Sequence, residues 1–130
     1  MLLCGFLLSA FACESKMKDP KGTLEKQAAE YWRERLINRN FEYTYKEELK
    51  EGLPPLSTYK VQLKNVTKFP TSSVEVKEVK IEAGIGTVKL VVMCMLPGVP
   101  KELAVPLGDH WVVKGNKWRH QRQIKSPGKK

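Results

Sequence analysis

The run Thr87 to Leu96 constrains the fold more than any other stretch of this chain. It is apolar on both alternating sets: Val88, Leu90, Val92 and Cys94 on one, Val91, Met93 and Met95 on the other. Successive side chains of a strand point to opposite faces, so such a run marks a central strand covered on both faces or lying at an interface. Pro97-Gly98 and Pro100 end it. A central strand needs neighbours, and both flanks supply them. Upstream, Val74 and Val76, then Val79 and Ile81, alternate with Glu75, Lys77, Glu78, Lys80 and Glu82. The phase slips near Lys77-Glu78, as a β-bulge makes it. Gly84 and Gly86 turn the chain into the central run. Downstream, Leu103 to Pro106 begins another strand, and Asp109 to Lys114 joins Lys117 to Gln123 through Gly115-Asn116. This two-residue hairpin loop has glycine first, as a type II′ turn prefers.

That hairpin sets which residues share a face. With Gly115-Asn116 as the loop, Lys114 pairs with Lys117, Val113 with Trp118, Val112 with Arg119 and Trp111 with His120. One face then carries Trp111, Val113, Trp118 and His120. The other carries His110, Val112, Lys114, Lys117, Arg119 and Gln121, a mostly basic, wet surface on which Lys114, Lys117 and Arg119 are the binding candidates. Asp109 and His110 point to opposite faces and form no acid/base pair by adjacency.

The first half is helical. Thr23 can cap a helix whose apolar positions Leu24, Ala28, Tyr31, Trp32 and Leu36 recur at three- and four-residue steps. Asn40 can cap a short second helix with Phe41, Tyr45 and Leu49 on one face, stopped by Gly52 and Pro54-Pro55. Leu56 to Val66 fits a helical face through Leu56, Tyr59, Leu63 and Val66, with strand alternation of Tyr59, Val61 and Leu63 as the alternative; helix is preferred. Helices followed by antiparallel strands predict an α+β domain in which the N-terminal helices pack on a curved antiparallel sheet.

At 130 residues, 42% hydrophobic and 28% charged, the chain has the size and composition of a single packed domain. Its net charge of +9 favours anionic partners. The basic residues are scattered and not interleaved with aromatics, so nucleic acid is disfavoured against a plain basic surface.

Met1 to Ala12 contains no charge, and Leu2, Leu3, Phe6, Leu7 and Leu8 form an apolar run too short to span a bilayer. Small residues Ala10 and Ala12 follow, so cleavage is expected before Cys13. No basic segment precedes the apolar run, which points to a translation start upstream of Met1. Glu14 to Gly22 is charged, holds proline and glycine and lacks periodicity, like a tether. The chain thus divides into a signal peptide at 1–12, a tether at 13–22, an α+β domain at 23–124 and a disordered basic tail at 125–130. The competing reading makes residues 1–12 a buried strand or helix turn of a cytosolic protein. Cys4 leaves with the leader, which excludes a disulfide framework; Cys94 reads as a buried inert thiol, with a Cys13–Cys94 disulfide as the alternative.

A cysteine directly after such a cleavage site resembles the lipobox of bacterial lipoproteins, although Ala10 and Phe11 stand where leucine and a small residue are usual. The resemblance implies that Cys13 is lipidated and anchors the chain to a membrane of the cell envelope, in the periplasm or at the cell surface. The body, from Tyr31-Trp32 through Asn40 to Tyr45 and on to Asp109-His110-Trp111-Val112 and Gly115 to Trp118, resembles the nuclear-transport-factor-2-like, or cystatin-like, superfamily. This implies a strongly curved sheet wrapped around the long helix to leave a cone-shaped pocket. Tyr31, Trp32, Trp111, Trp118 and His120 would line that core or pocket, and filling the cone is the simpler role for so much aromatic mass.

Enzymes on this fold place carboxylates, tyrosines or histidines on the pocket walls. Here the body carboxylates are expected on the exposed side of the first helix, in Glu47-Glu48-Glu51, or outward at Glu75, Glu78 and Glu82, leaving Asp109 and His120 as loose candidates. No metal cluster, phosphate loop or cofactor is implied. The favoured reading is a membrane-tethered, non-catalytic envelope lipoprotein domain that binds an envelope protein or anionic envelope component or serves in assembly. The alternative is a small-molecule-processing enzyme with a pocket around His120. Homodimerisation through the sheet is compatible with both.

Overall fold

A computed structural model describes residues 17–66 and 69–122. The expected signal peptide, Cys13 with the start of the tether, and the 125–130 tail lie outside the described residues.

Helix α1 spans Pro20–Arg33. It starts about a turn earlier than expected: Asp19, at φ 47°, accepts a hydrogen bond from the Gly22 amide at 3.3 Å, and Pro20 sits at a first-turn position where its missing N–H is harmless. Thr23 is therefore inside the helix, with its hydroxyl donating to the Lys18 carbonyl at 3.2 Å. The end of the expected tether is folded, and Met17 packs against the core. The helix continues into a wider π-helical turn, Glu34–Asn38, which left-handed Arg39 closes as the Asn40 amide reaches the Glu34 carbonyl at 2.8 Å. Asn40 caps α2, Phe41–Glu47, as expected, by accepting from the Tyr43 amide at 3.3 Å. Leu49 lies beyond that helix and its amide donates to the His120 carbonyl at 2.8 Å. Leu56–Val66 is helix α3, with Tyr59 and Leu63 buried against Phe41.

The strands β1 (Thr71–Glu82), β2 (Ile85–Cys94), β3 (Leu103–Lys114) and β4 (Lys117–Gln121) form one antiparallel sheet in sequence order. The β1–β2 register shifts between Val76 and Glu78, where the alternation predicted a bulge. The β3–β4 register pairs Trp111 with His120 and Val113 with Trp118, as the hairpin predicted. Its turn differs, because Gly115 and Asn116 both have positive φ (60° and 67°). That is type I′, whose twist matches the flanking strands and whose left-handed second position asparagine tolerates. Pro106 does not interrupt β3: β4 pairs only with His110 to Lys114, so the absent proline N–H removes nothing from that ladder.

The inner sheet face, Val79, Val88, Leu90, Val92, Trp111 and Trp118, packs on Leu24, Ala28, Tyr31 and Trp32 of α1. Across the outer face of β2, Val91 and Met93 are half-buried and Ile85 is 45% exposed, with Met95 just past the strand 38% exposed, so among the described residues only one face of this central strand is fully covered. The chain is an α+β domain of helices packed on an open antiparallel sheet. Gly86 is a packing residue within β2 and not part of the turn, which Ala83-Gly84 makes. A Cβ on Gly86 would overlap Leu24 Cδ2 and approach Trp118 Cζ3 at 3.3 Å.

Gly86→Ala is expected to destabilise the fold by about 1–3 kcal/mol through overpacking. Gly108→Ala, whose Cβ would meet open space, should stay within about 0.5 kcal/mol of the parent. Urea unfolding of both variants checks this.

Candidate functional site

Three ionisable residues meet beneath α1. Glu48 is 1% exposed, Asp109 2% and His120 3%. Strand pairing aims His120 inward beside Trp111, and Asp109 points to the same side two residues earlier on β3. Glu48 follows α2 and reaches His120 because residues 48 and 49 run alongside β4, in a parallel bridge between Glu48 and His120. The imidazole lies between the two carboxylates, with Nδ1 2.6 Å from Glu48 Oε1 and Nε2 2.7 Å from Asp109 Oδ1. The remaining oxygens are also occupied. Asp109 Oδ2 accepts the indole N–H groups of Trp32 at 2.6 Å and Trp111 at 2.8 Å. Glu48 Oε2 accepts the hydroxyls of Tyr31 and, at 2.7 Å, of Tyr59, which lies 2.7 Å from Thr44 Oγ1.

A carboxylate oxygen accepts and cannot donate, so both ring nitrogens of His120 serve as donors and the ring is an imidazolium. Burial works against that charge, but the hydrogen bonds and charges of Asp109 and Glu48 outweigh it and raise the His120 pKa above its ordinary value. Burial chiefly pushes the Tyr31 and Tyr59 hydroxyls up as well, which keeps them protonated donors. Tyr31 stacks on the imidazole at 4.3 Å between ring centroids.

Beside this cluster opens a cavity of about 350 Å³, whose wall includes Trp32, Arg35, Leu63, Leu107, Asp109 and His120. The Arg35 guanidinium lies 4.5 Å from the Trp32 ring centre, and Nη1 donates to the Tyr31 hydroxyl at 3.0 Å. Its Nε is the one buried side-chain polar atom without a hydrogen-bond partner among the described residues.

The aromatic candidates separate into two groups. Trp32 and His120 face the cavity. Tyr31, Trp111 and Trp118 are buried in the core; the Trp118 indole N–H donates to the Pro20 carbonyl at 3.3 Å. On the outer face Lys114 and Lys117 are exposed, whereas Arg119 spends Nη1 on the Lys46 carbonyl at 2.7 Å. Lys114 Nζ lies 4.0 Å from Glu51, so the basic face is less free than its sequence suggests. Glu48 corrects the expectation that the Glu47-Glu48-Glu51 carboxylates are exposed. Its neighbours read as a solvated segment, and nothing local marks a partner that is distant in sequence. Arg35, Thr44 and Tyr59 were likewise not legible as site residues. Cys94 is a buried free thiol, as expected.

No family model matches the chain, and no curated protein matches it. Among solved structures, the chain is similar to the solution structure of a SEC-C motif containing protein from Rhodopseudomonas palustris, with a TM-score of 0.50 at 13% identity over 75% of this chain and 70% of that one. At that identity the likeness concerns the fold alone.

Because the native pKa of His120 lies above the unfolded value of about 6.5, the folded state binds more protons above that pH. The stabilisation is complete below about pH 6.5 and is lost as pH rises through the raised native pKa. Thermal melts between about pH 6 and pH 9 should therefore show falling stability. His120→Gln should lower stability by about 3–5 kcal/mol, since it leaves two buried carboxylates without their cation, and should flatten that pH slope. A flat wild-type profile would contradict the imidazolium.

Proposed function

We propose that this chain is a non-catalytic binding domain of the bacterial cell envelope, a cone-shaped domain of the nuclear-transport-factor-2-like or cystatin-like type, held to a membrane by a lipid on Cys13. One observation carries the non-catalytic part. All four oxygens of Glu48 and Asp109 and both nitrogens of His120 are engaged inside the protein. A general base needs a free lone pair within reach of substrate, and an imidazolium clamped by two carboxylates has none. The cluster ties α1, the Glu48 segment, α3 and the β3–β4 hairpin together. The cavity next to it supplies a concave surface for a ligand. The cone-shaped reading is supported by the placement of α1 against the inner sheet face with the cavity beside it. The tether is supported by the uncharged leader Met1 to Ala12, the small residues Ala10 and Ala12, and Cys13 directly after them.

The alternative, a small-molecule-processing enzyme, draws on the presence of Asp109 and His120 in the cavity wall. It would require His120 to release a carboxylate before it could exchange a proton with substrate, which makes it the weaker reading.

Expressed in a bacterial host as the full chain, the protein should partition with membranes and yield an N-terminal peptide that begins at an acylated Cys13. Cys13→Ser should lose that modification and the membrane partition. An unmodified N-terminal peptide in the membrane-extracted protein, read by mass spectrometry, would remove the lipid anchor.

A further inference from the structure

The cavity has a chemistry that the buried cluster beside it does not account for. Its volume of about 350 Å³ falls within the range of small-molecule sites. Trp32, Leu63 and Leu107 give it apolar walls, while the charged groups in the wall are Arg35, Arg122, His120 and Asp109. With His120 as an imidazolium, cations exceed anions there. Both Asp109 oxygens already accept from internal donors, which makes the wall less suited to a cationic ligand. Arg122 is held in place by donating to the Gly52 carbonyl at 2.9 Å. Arg35 is braced by the Trp32 ring and by Tyr31, yet its buried Nε–H has no partner. Nε itself has almost no accessible surface, so a ligand in the cavity meets the terminal nitrogens of the guanidinium, whose end-on fork matches the two oxygens of a carboxylate.

We propose that this cavity binds an amphipathic carboxylate, a small molecule whose anionic head is taken by Arg35 and whose apolar body lies against Trp32, Leu63 and Leu107. The assignment rests on the reading of the domain as a binding module. A monoanionic head suits the site better than a phosphate dianion, because the Asp109 carboxylate shares the wall and repels the second charge.

Isothermal titration of the full chain with octanoate, 1-octanol and octylammonium tests it. Octanoate should bind at least about tenfold more tightly than 1-octanol, as expected for a hydrogen bond to a charged group, and octylammonium should not bind. Arg35→Lys keeps the charge but loses the fork, and should weaken octanoate by about tenfold while leaving 1-octanol unchanged. Leu107→Trp, at a half-buried position, fills the cavity without replacing a charged residue and should abolish binding of both. It keeps the test decisive should Arg35→Lys fail to fold. Equal affinity for octanoate and 1-octanol overturns the proposal, as does absence of octanoate binding, or octanoate binding that survives Leu107→Trp. None of these results bears on the lipid anchor or on the clamped cluster, which fail instead through an unmodified Cys13 or a flat pH profile of stability.

Discussion

The rest of the structure depends on one cation placed between two buried anions. Glu48 and Asp109 are each almost wholly withdrawn from water, and an unpaired carboxylate in that position would be strongly destabilising. His120 neutralises both through opposite ring nitrogens, and hydroxyl and indole donors occupy what remains. These donors come from three elements: Tyr31 and Trp32 from α1, Tyr59 from α3, Trp111 from β3. The cluster therefore determines how far the long helix stands from the sheet and where the third helix closes over it. The same contacts manage an edge. β4 is the terminal strand of the sheet, and the segment that delivers Glu48 also lays the Leu49 amide on the His120 carbonyl. Charge pairing and edge protection thus use the same few residues.

The elements themselves were largely legible. The alternation of Val74 to Ile81, its slip at Lys77-Glu78 and the two-sided apolar run from Val88 follow from side-chain period alone. The pairing of Trp111 with His120 follows from a two-residue loop, because such a loop leaves no freedom of register. Half of the cluster was visible in this way: Asp109, Trp111 and His120 lie on one face of one hairpin. The other half was not. Glu48 sits among Glu47, Lys50 and Glu51, and local sequence cannot distinguish a solvated glutamate from one whose partner arrives from the last strand, 72 residues on. Arg35 lies one turn after Tyr31 and bonds its hydroxyl, but the apolar pattern pointed instead to Leu36 as the next inward position. The early helix start was hidden because Asp19 caps in a left-handed conformation, whereas Thr23 offered the more ordinary signal.

What the arrangement can do follows from which groups it leaves unused. A proton-transfer site keeps an acid or base exposed to its substrate and shifts its pKa for the task. Here the shifted histidine is spent on holding the protein together, and its raised pKa is a consequence of that duty. The unused capacity lies elsewhere, in the guanidinium of Arg35 in the cavity wall. A guanidinium stays protonated throughout the physiological range and so is a poor proton carrier, but it is a strong, directional anion receptor. The two facts point the same way. The residues that resemble a catalytic set are saturated, and the residue that is unsaturated suits recognition.

The hydrogen-bonded chain from Asp109 through His120, Glu48 and Tyr31 ends at Arg35 Nη1. The arginine is thereby positioned by the same charges that hold the fold, with Tyr31 accepting from it while donating to Glu48. Trp32 is fixed twice, by its indole bond to Asp109 and by the guanidinium above its ring. Both walls that would meet a ligand are therefore ordered before it arrives. Little side-chain entropy remains to be lost on binding, which is the condition under which a small cavity can bind a small molecule at all.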